Sequence, residues 1–166
     1  PVSGKNLFPS NIAGLPTWFL IRVTEEGYNA PADEINISVL MNAETWDDDL
    51  KKLGKGSVVI CNSDLGKKVE RNDLIVYEIP CSSIARKVDS KLARLITNTV
   101  YVGALAEVIG LEQEAITDAL SHQFNRKKKA IDLNLKAIDE GRKYIQENYK
   151  EEQPWKIERR DLTKNK

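Results

Sequence analysis

Hydrophobic positions along this chain fall in short, nearly continuous runs through its first half and recur at three and four in its second. "FLIRV", Phe19 to Val23, is β-branched and aromatic and predicts a strand, and "EEGYNAP" behind it supplies a turn through Gly27, Asn29 and Pro31. "INISVLMN" is then apolar almost without a break as far as Asn42, which predicts an interior parallel strand buried on both faces. "AETWDDDLKKL", Ala43 to Leu53, reads as a helix: Glu44, Asp47, Asp48 and Asp49 crowd its positive end, Lys51 and Lys52 its negative end, and Gly54 and Gly56 stop it. "SVVIC", residues 57 to 61, closes a strand-helix-strand unit whose crossover should be right-handed. "LIVYEIP" at 74 to 80 is a further strand, after which Ser82 or Ser83 is placed to cap a short helical segment.

The second half is helical. Leu92, Leu95, Ile96, Thr99, Val100, Gly103, Leu105, Ala106 and Ile109 recur at three and four, so Lys91 to Ile109 lays one face on the sheet and Gly110 ends it. Glu112 to Gln123 and Arg126 to Tyr149 make two more helices, the last with Ile131, Leu135, Ile138 and Ile145 on one stripe. From Lys150 the residues turn charged, which reads as a linker or partner-binding arm outside the core. Strands first and helices last predict an α/β layer domain over residues 1–149, with a tail at 150–166.

The opening stretch "GKNLFPSNIAGLPTWFLIRV" reads as a compact, aromatic-rich turn leading into the strand at Phe19. Gly4, Pro9, Gly14 and Pro16 read as turn formers, and Phe8, Leu15 and Trp18 as plugs for the end of the sheet. The competing reading is a surface loop that touches a partner or ligand, with Lys5, Asn11 and Thr17 as its polar contacts. A start on Pro1, running at once into this turn, is expected of a segment from inside a longer polypeptide.

With 25 basic and 25 acidic residues among 166, the chain carries no net charge to draw it to nucleic acid or an anionic membrane. Runs such as "ISVLM" fall far short of a membrane span, so a cytoplasmic location is expected. Cys61, Cys81 and the lone His122 are too few to hold an iron-sulfur cluster or a structural zinc. No phosphate-binding glycine motif follows any strand.

Individual candidates each have a plain structural reading beside the functional one. Arg22, inside a strand, faces solvent or meets a carboxylate. Asn42 ends a strand where open sheets bind ligands, and is equally placed to cap the next helix. Asn98, with Gly103 and Ala104, reads as a buried polar anchor beside a close-packing glycine, or as a ligand contact. His122 lacks a nucleophile and acidic orienter beside it, and "RKKK" at 126–129 is either solvated charge or a grip on a phosphorylated cofactor.

Three stretches resemble a known family: "GKNLFPSNIAGLPTWFLIRV" at 4–23, "DEINISVLMN" at 33–42 and "NTVYVGALAEVIGL" at 98–111, followed by "NLKAIDEGRKYIQEN" at 134–148. They resemble the gamma domain of the 2-oxoacid:ferredoxin (acceptor) oxidoreductases, in the branch where that domain is fused to the front of the alpha subunit. The resemblance implies a Rossmann-like three-layer α/β domain, mainly parallel in its sheet, lacking here the family's first strand, glycine turn and most of the first helix. Many relatives carry Arg-Gly-Gly where this chain has "IAGLPTW".

The implied enzyme decarboxylates a 2-oxoacid oxidatively, makes an acyl-CoA and reduces ferredoxin. Thiamine diphosphate, magnesium and [4Fe-4S] clusters are then held by other domains, so this stretch is a scaffold that is not catalytic alone. The implied partners are a pyrimidine-binding domain of the same chain and a beta subunit, with ferredoxin and coenzyme A meeting the complex. Asn11, Gly14, Leu15, Pro16, Thr17 and Trp18 match the family's loop and Asn98 and Gly103 its helix, none with a catalytic duty. The alternative is a free-standing α/β module that binds a nucleotide or CoA-like ligand near Asn42.

Overall fold

The structure is a computed structural model that describes residues 2–8, 16–27, 30, 32–150 and 154–159. Its centre is a parallel sheet of β3 (Ile37–Leu40), β4 (Val58–Asn62) and β5 (Ile75–Ile79), in the order β3-β4-β5. All five residues of β4 are buried, because alternate side chains enter opposite cores. Val58 and Ile60 join the larger core with α2 (Cys81–Val88), α3 (Ala93–Val108) and α5 (Lys128–Asn148). Val59 and Cys61 face the other way, onto Trp46 and Leu50 of α1 (Trp46–Lys51) and onto Leu53. The result is three layers, with one short helix on one face of the sheet and the long helices on the other.

β3 is not an interior strand among the described residues. It borders the sheet, pairs in parallel with β4 alone, and buries only Leu40 fully. Its apolar run is continuous because both faces are covered, although no described strand pairs with its other edge.

The helix after it is shorter than Ala43 to Leu53. Asn42 Oδ1 accepts from the backbone N–H of Glu44 and Thr45, at 3.1 Å each, and from the Thr45 hydroxyl at 3.2 Å. That turn holds residues 43–45 outside the helix, and α1 starts at the buried Trp46. At the other end Arg71 donates to the carbonyls of Leu50 and Leu53, at 2.7 and 3.0 Å, satisfying acceptors that the end of a helix leaves free. Arg71 is itself held by two bonds to Asp73, at 3.0 and 2.7 Å.

α3 and α5 pack backbone to backbone where Gly103 meets Gly141. A Cβ on Gly103 would stand 2.1 Å from the carbonyl oxygen of Ile138, and one on Gly141 would stand 2.4 Å from that of Val100. Beside the crossing, Thr99 donates to Asn134 Oδ1 at 2.7 Å, and Asn134 Nδ2 donates to the Ala130 carbonyl at 2.8 Å. α4 (Gln113–Gln123) covers part of the outer side of this pair through Ile116 and Leu120.

Two features depart from the expected layout. The stretch read as an opening turn contains a strand, β1 (Val2–Leu7), which pairs antiparallel with β2 (Trp18–Val23) in a separate two-stranded sheet. The segment read as lying wholly outside the core also returns to the body. Ile157 donates its N–H to the Ile109 carbonyl at 2.8 Å and packs on the larger core, and Arg159 pairs with Glu112 at 3.4 Å. An apolar residue every few positions suffices to dock an otherwise charged segment, which composition averages away.

Candidate functional site

In an open α/β sheet ligands gather at the carboxyl ends of the strands. Here that edge is built from Leu40 to Asn42, Asn62, and Ile79 with Pro80. Asn62 is 2% exposed, and each polar atom of its amide is engaged. Its Oδ1 accepts from the N–H of Cys81 and of Asp64, at 3.1 Å each, and its Nδ2 donates to Ser82 Oγ at 3.0 Å. Asp64 takes the Ser83 N–H at 2.7 Å and the Ser83 hydroxyl at 2.8 Å, and Arg86 donates to the same hydroxyl oxygen at 3.0 Å.

Ser82 and Ser83 therefore do not cap α2 themselves. Side chains from the end of β4 and the turn after it do, and they put a carboxylate where a phosphate would have to sit. Sequence reasoning missed Asn62 and Asp64; the "CNSD" run after a fully apolar strand is the signal that marks them. At the end of β3, Asn42 is spent on its own turn, and the exposed Glu44, Asp47 and Asp48 follow it. Both strand ends thus spend their polar side chains on the chain itself. This disfavours a nucleotide or CoA-like molecule at Asn42.

The titratable groups nearby are insulated. Burial, with the charge of Glu78 second, pushes the Cys61 thiol up to about 12, and burial also pushes Cys81 and Tyr101 up. Tyr101 spends its hydroxyl on the Leu40 carbonyl at 3.2 Å. A cluster iron needs a thiolate, so neither cysteine suits it. No group of three or more His, Cys, Asp or Glu among the described residues is placed to hold a metal ion. Among the described residues, the donor set does not fit a metal ion or an iron-sulfur cluster.

The remaining sequence candidates scatter. Asn11, Gly14 and Leu15 lie outside the described residues. Pro16 and Trp18 line an open groove of about 610 Å³ against Glu44, Thr45, Asp48, Lys51 and Lys52 of the α1 region, while Thr17 is exposed. Trp18 Nε1 donates to Asp49 Oδ1 at 2.8 Å, and the Lys52 ammonium lies 4.8 Å from the indole centroid, so this tryptophan fastens the hairpin to α1. Phe8 is 65% exposed and plugs nothing.

Arg22 is half-buried and donates to the Ala30 carbonyl. Asn98 is exposed on α3, not a buried anchor; the buried amide beside the glycine crossing is Asn134, one helix away. Gly103 stands in the crossing itself. His122, Lys5 and residues 126–129 are exposed. A second groove, about 620 Å³, runs between α3, α4 and α5 over Thr99, Val102, Ile116, Leu120 and Phe124.

These features define a class: an α/β layer domain whose interior polar groups serve its own backbone, with apolar grooves and an exposed hairpin on its surface. Residues 1–144 match the family described as pyruvate ferredoxin/flavodoxin oxidoreductase, and the chain belongs to that family. The ketoisovalerate oxidoreductase subunit VorA of Methanothermobacter marburgensis is 25% identical over 129 residues, covering 76% of this chain and 26% of the relative. That of Methanothermobacter thermautotrophicus is 26% identical with the same coverage. The chain thus spans about a quarter of the length of the curated relatives it matches.

Among solved structures, the 2-oxoglutarate:ferredoxin oxidoreductase from Magnetococcus marinus shares the fold at TM-score 0.83 and 22% identity, over 95% of this chain and 27% of that one. The gamma subunit of a keto/oxoacid ferredoxin oxidoreductase from Geobacter sulfurreducens aligns at TM-score 0.67 and 17% identity, over 88% of this chain and 80% of that one. The family's gamma-type α/β fold, with its parallel sheet and closing helices, is therefore present here. No helix among the described residues is long and apolar enough to cross a membrane.

Proposed function

We propose that this chain is the gamma-type scaffold domain of a 2-oxoacid:ferredoxin oxidoreductase, packed against domains that carry the chemistry. The enzyme as a whole would convert a 2-oxoacid to an acyl-CoA and pass electrons to ferredoxin. Thiamine diphosphate, magnesium and [4Fe-4S] clusters would sit on its other domains, among them a pyrimidine-binding domain and a beta subunit, in the cytoplasm. The observation that carries this reading is the family match over residues 1–144 on a fold whose strand-end polar groups are taken up by its own backbone. The fold's occurrence as about a quarter of one long chain and most of a short one supports a domain that works attached or separate. Within this reading, the loop from Asn11 to Trp18 is an interface element, residues 1–149 are the domain, and 150–166 lead toward the next one.

The test is reconstitution. The chain alone should give no 2-oxoacid-dependent reduction of a viologen dye, and adding it to the remaining domains and subunits of the oxidoreductase, produced without it, should restore turnover. Robust turnover by the chain alone would refute this division of labour. Calorimetric titration of the chain with coenzyme A and adenine nucleotides should be silent; micromolar binding would favour an independent ligand-binding module.

A further inference from the structure

The antiparallel register of the hairpin sorts its side chains onto two faces. Ser3, Lys5, Leu7, Trp18, Leu20 and Arg22 share one face, on which Trp18 reaches α1. Val2, Gly4, Asn6, Phe19, Ile21 and Val23 share the other, and it carries no charge. That uncharged face is open: Val2 is 70%, Phe19 60%, Ile21 59% and Val23 48% exposed. The Phe19 ring lies across Gly4, where a Cβ would come within 2.8 Å of Cζ, so the aromatic bridges the strands and makes the apolar surface continuous. A two-stranded sheet is marginal in water by itself, and this one is tied to the body on its opposite face through Trp18.

We infer that this face is where the chain docks onto the catalytic remainder of the oxidoreductase, which it meets with an apolar, uncharged surface. The inference rests on the scaffold reading proposed above and adds the surface through which it works. A second copy of the chain is a poorer occupant on area. The four side chains offer on the order of 400 Å² of apolar surface, as large a patch as monomers ordinarily show. Two copies stacked on it would bury about 800 Å² in total, at the level of crystal contacts and short of the roughly 1,200 Å² where stable interfaces begin. A larger, preformed partner can cover the face and, beyond it, the exposed Phe8 and the strand edges, which no other described strand covers.

The experiment compares the wild-type chain with Ile21→Asp, Phe19→Ser and Ala119→Glu. The first two change exposed residues on the hairpin face; the third changes the groove between α3, α4 and α5. Each is mixed with the remaining domains and subunits of the oxidoreductase, produced without this one, and assembly is read by native size and by hydrogen exchange over Val2–Leu7 and Trp18–Val23. Circular dichroism and melting temperature confirm that the helical body is unchanged. The expected result is slower exchange of both strands in the wild-type complex, an apparent affinity at least about tenfold weaker for Ile21→Asp and Phe19→Ser, and no change for Ala119→Glu. Equal assembly by all variants with an unprotected hairpin would overturn the docking face and leave the scaffold reading intact. Failure of the wild-type chain to assemble would overturn the scaffold reading and the face with it. A self-dimer of the chain alone that Ile21→Asp dissociates would assign the face to a second copy, and selective loss with Ala119→Glu would assign docking to the groove; either overturns the inference.

Discussion

Replacing Gly103 with Ala tests whether the α3–α5 crossing is set by backbone contact. In an ordinary helix interior this change stabilises by about 1 kcal/mol, because alanine restricts the unfolded chain and shields the backbone. Here the new carbon would lie 2.1 Å from the Ile138 carbonyl oxygen, and an ordinary contact begins at 3.4 Å. The obstacle is backbone on both sides, so no rotamer relieves it. α3 and α5 must part by over an ångström, thinning the packing around Val100 and Ala104 and stretching the Thr99–Asn134 bond. Overpacking of a tight core costs about 1–3 kcal/mol, and a rigid obstacle places this site at or beyond the upper end. The net loss should be about 2 kcal/mol, or a fall of about 4–8 °C in Tm for a chain of this size. Gly54→Ala is the control, since its nearest neighbour would be the Ser57 hydroxyl at 3.9 Å and its backbone is not left-handed. Urea titration of both variants reads the difference directly, with the midpoint falling for Gly103→Ala and staying level or rising for Gly54→Ala. An unchanged or raised midpoint for Gly103→Ala would refute the account of the crossing.

Asn62→Ala leaves the Cys81 and Asp64 N–H groups without their acceptor in a buried site, and should cost about 2–4 kcal/mol by urea denaturation; a loss under 0.5 kcal/mol would mean water replaces the cap fully. Tyr149→Phe removes the hydroxyl that accepts from the Glu78 N–H at 2.8 Å and donates to its carbonyl at 3.0 Å, so it should cost about 1–2 kcal/mol and speed amide exchange at Glu78; unchanged exchange there would sink the idea. The Arg71 hydrogen bond holds the Asp73 carboxyl below its ordinary value, so the stability it lends is present above about pH 4 and is lost as pH falls through the lower folded value. Asp73→Asn should therefore flatten the acid limb of the denaturation midpoint below pH 4, and parallel limbs for the two proteins would contradict this. Cys61 and Cys81, buried and with thiols pushed upward, should resist Ellman's reagent at pH 8 in the folded chain and both react in denaturant; rapid labelling of either in the native state would show that burial is not what protects them.

The parallel strands and long helices were legible because the arrangement of apolar positions dominates them, unbroken runs for the strands and a three-and-four spacing for the helices. β4 and β5 agree with the sequence reading to within a residue or two at each end, and the strand-helix-strand unit around α1 pairs in parallel as expected. The discrepancies lie where a side chain overrides that arrangement. The Asn42 amide shortened α1 from its start, and Asn62 with Asp64 took over the capping that the serines promised. Asn98 and Asn134 look alike as polar interruptions of apolar helices. Only the position of the Gly103–Gly141 contact decides which of them is inside, and that contact pairs residues 38 apart in sequence.

β1 was illegible for a different reason. "VSGKNL" has neither the alternation nor the β-branched content of a strand, and it is drawn into one by pairing with "WFLIRV". β2, by contrast, is apolar on both faces, with Trp18 and Leu20 on one side and Phe19, Ile21 and Val23 on the other. A strand of that pattern is ordinarily covered twice. One face of this hairpin is tied to the body through Trp18, while the other stays exposed along its whole length. The sequence pattern and the solvent exposure are reconciled by a second cover that no described residue of this chain supplies. For the same reason the interface escaped sequence reading: its residues have the composition of core, and only the fold shows which of them the chain leaves unburied.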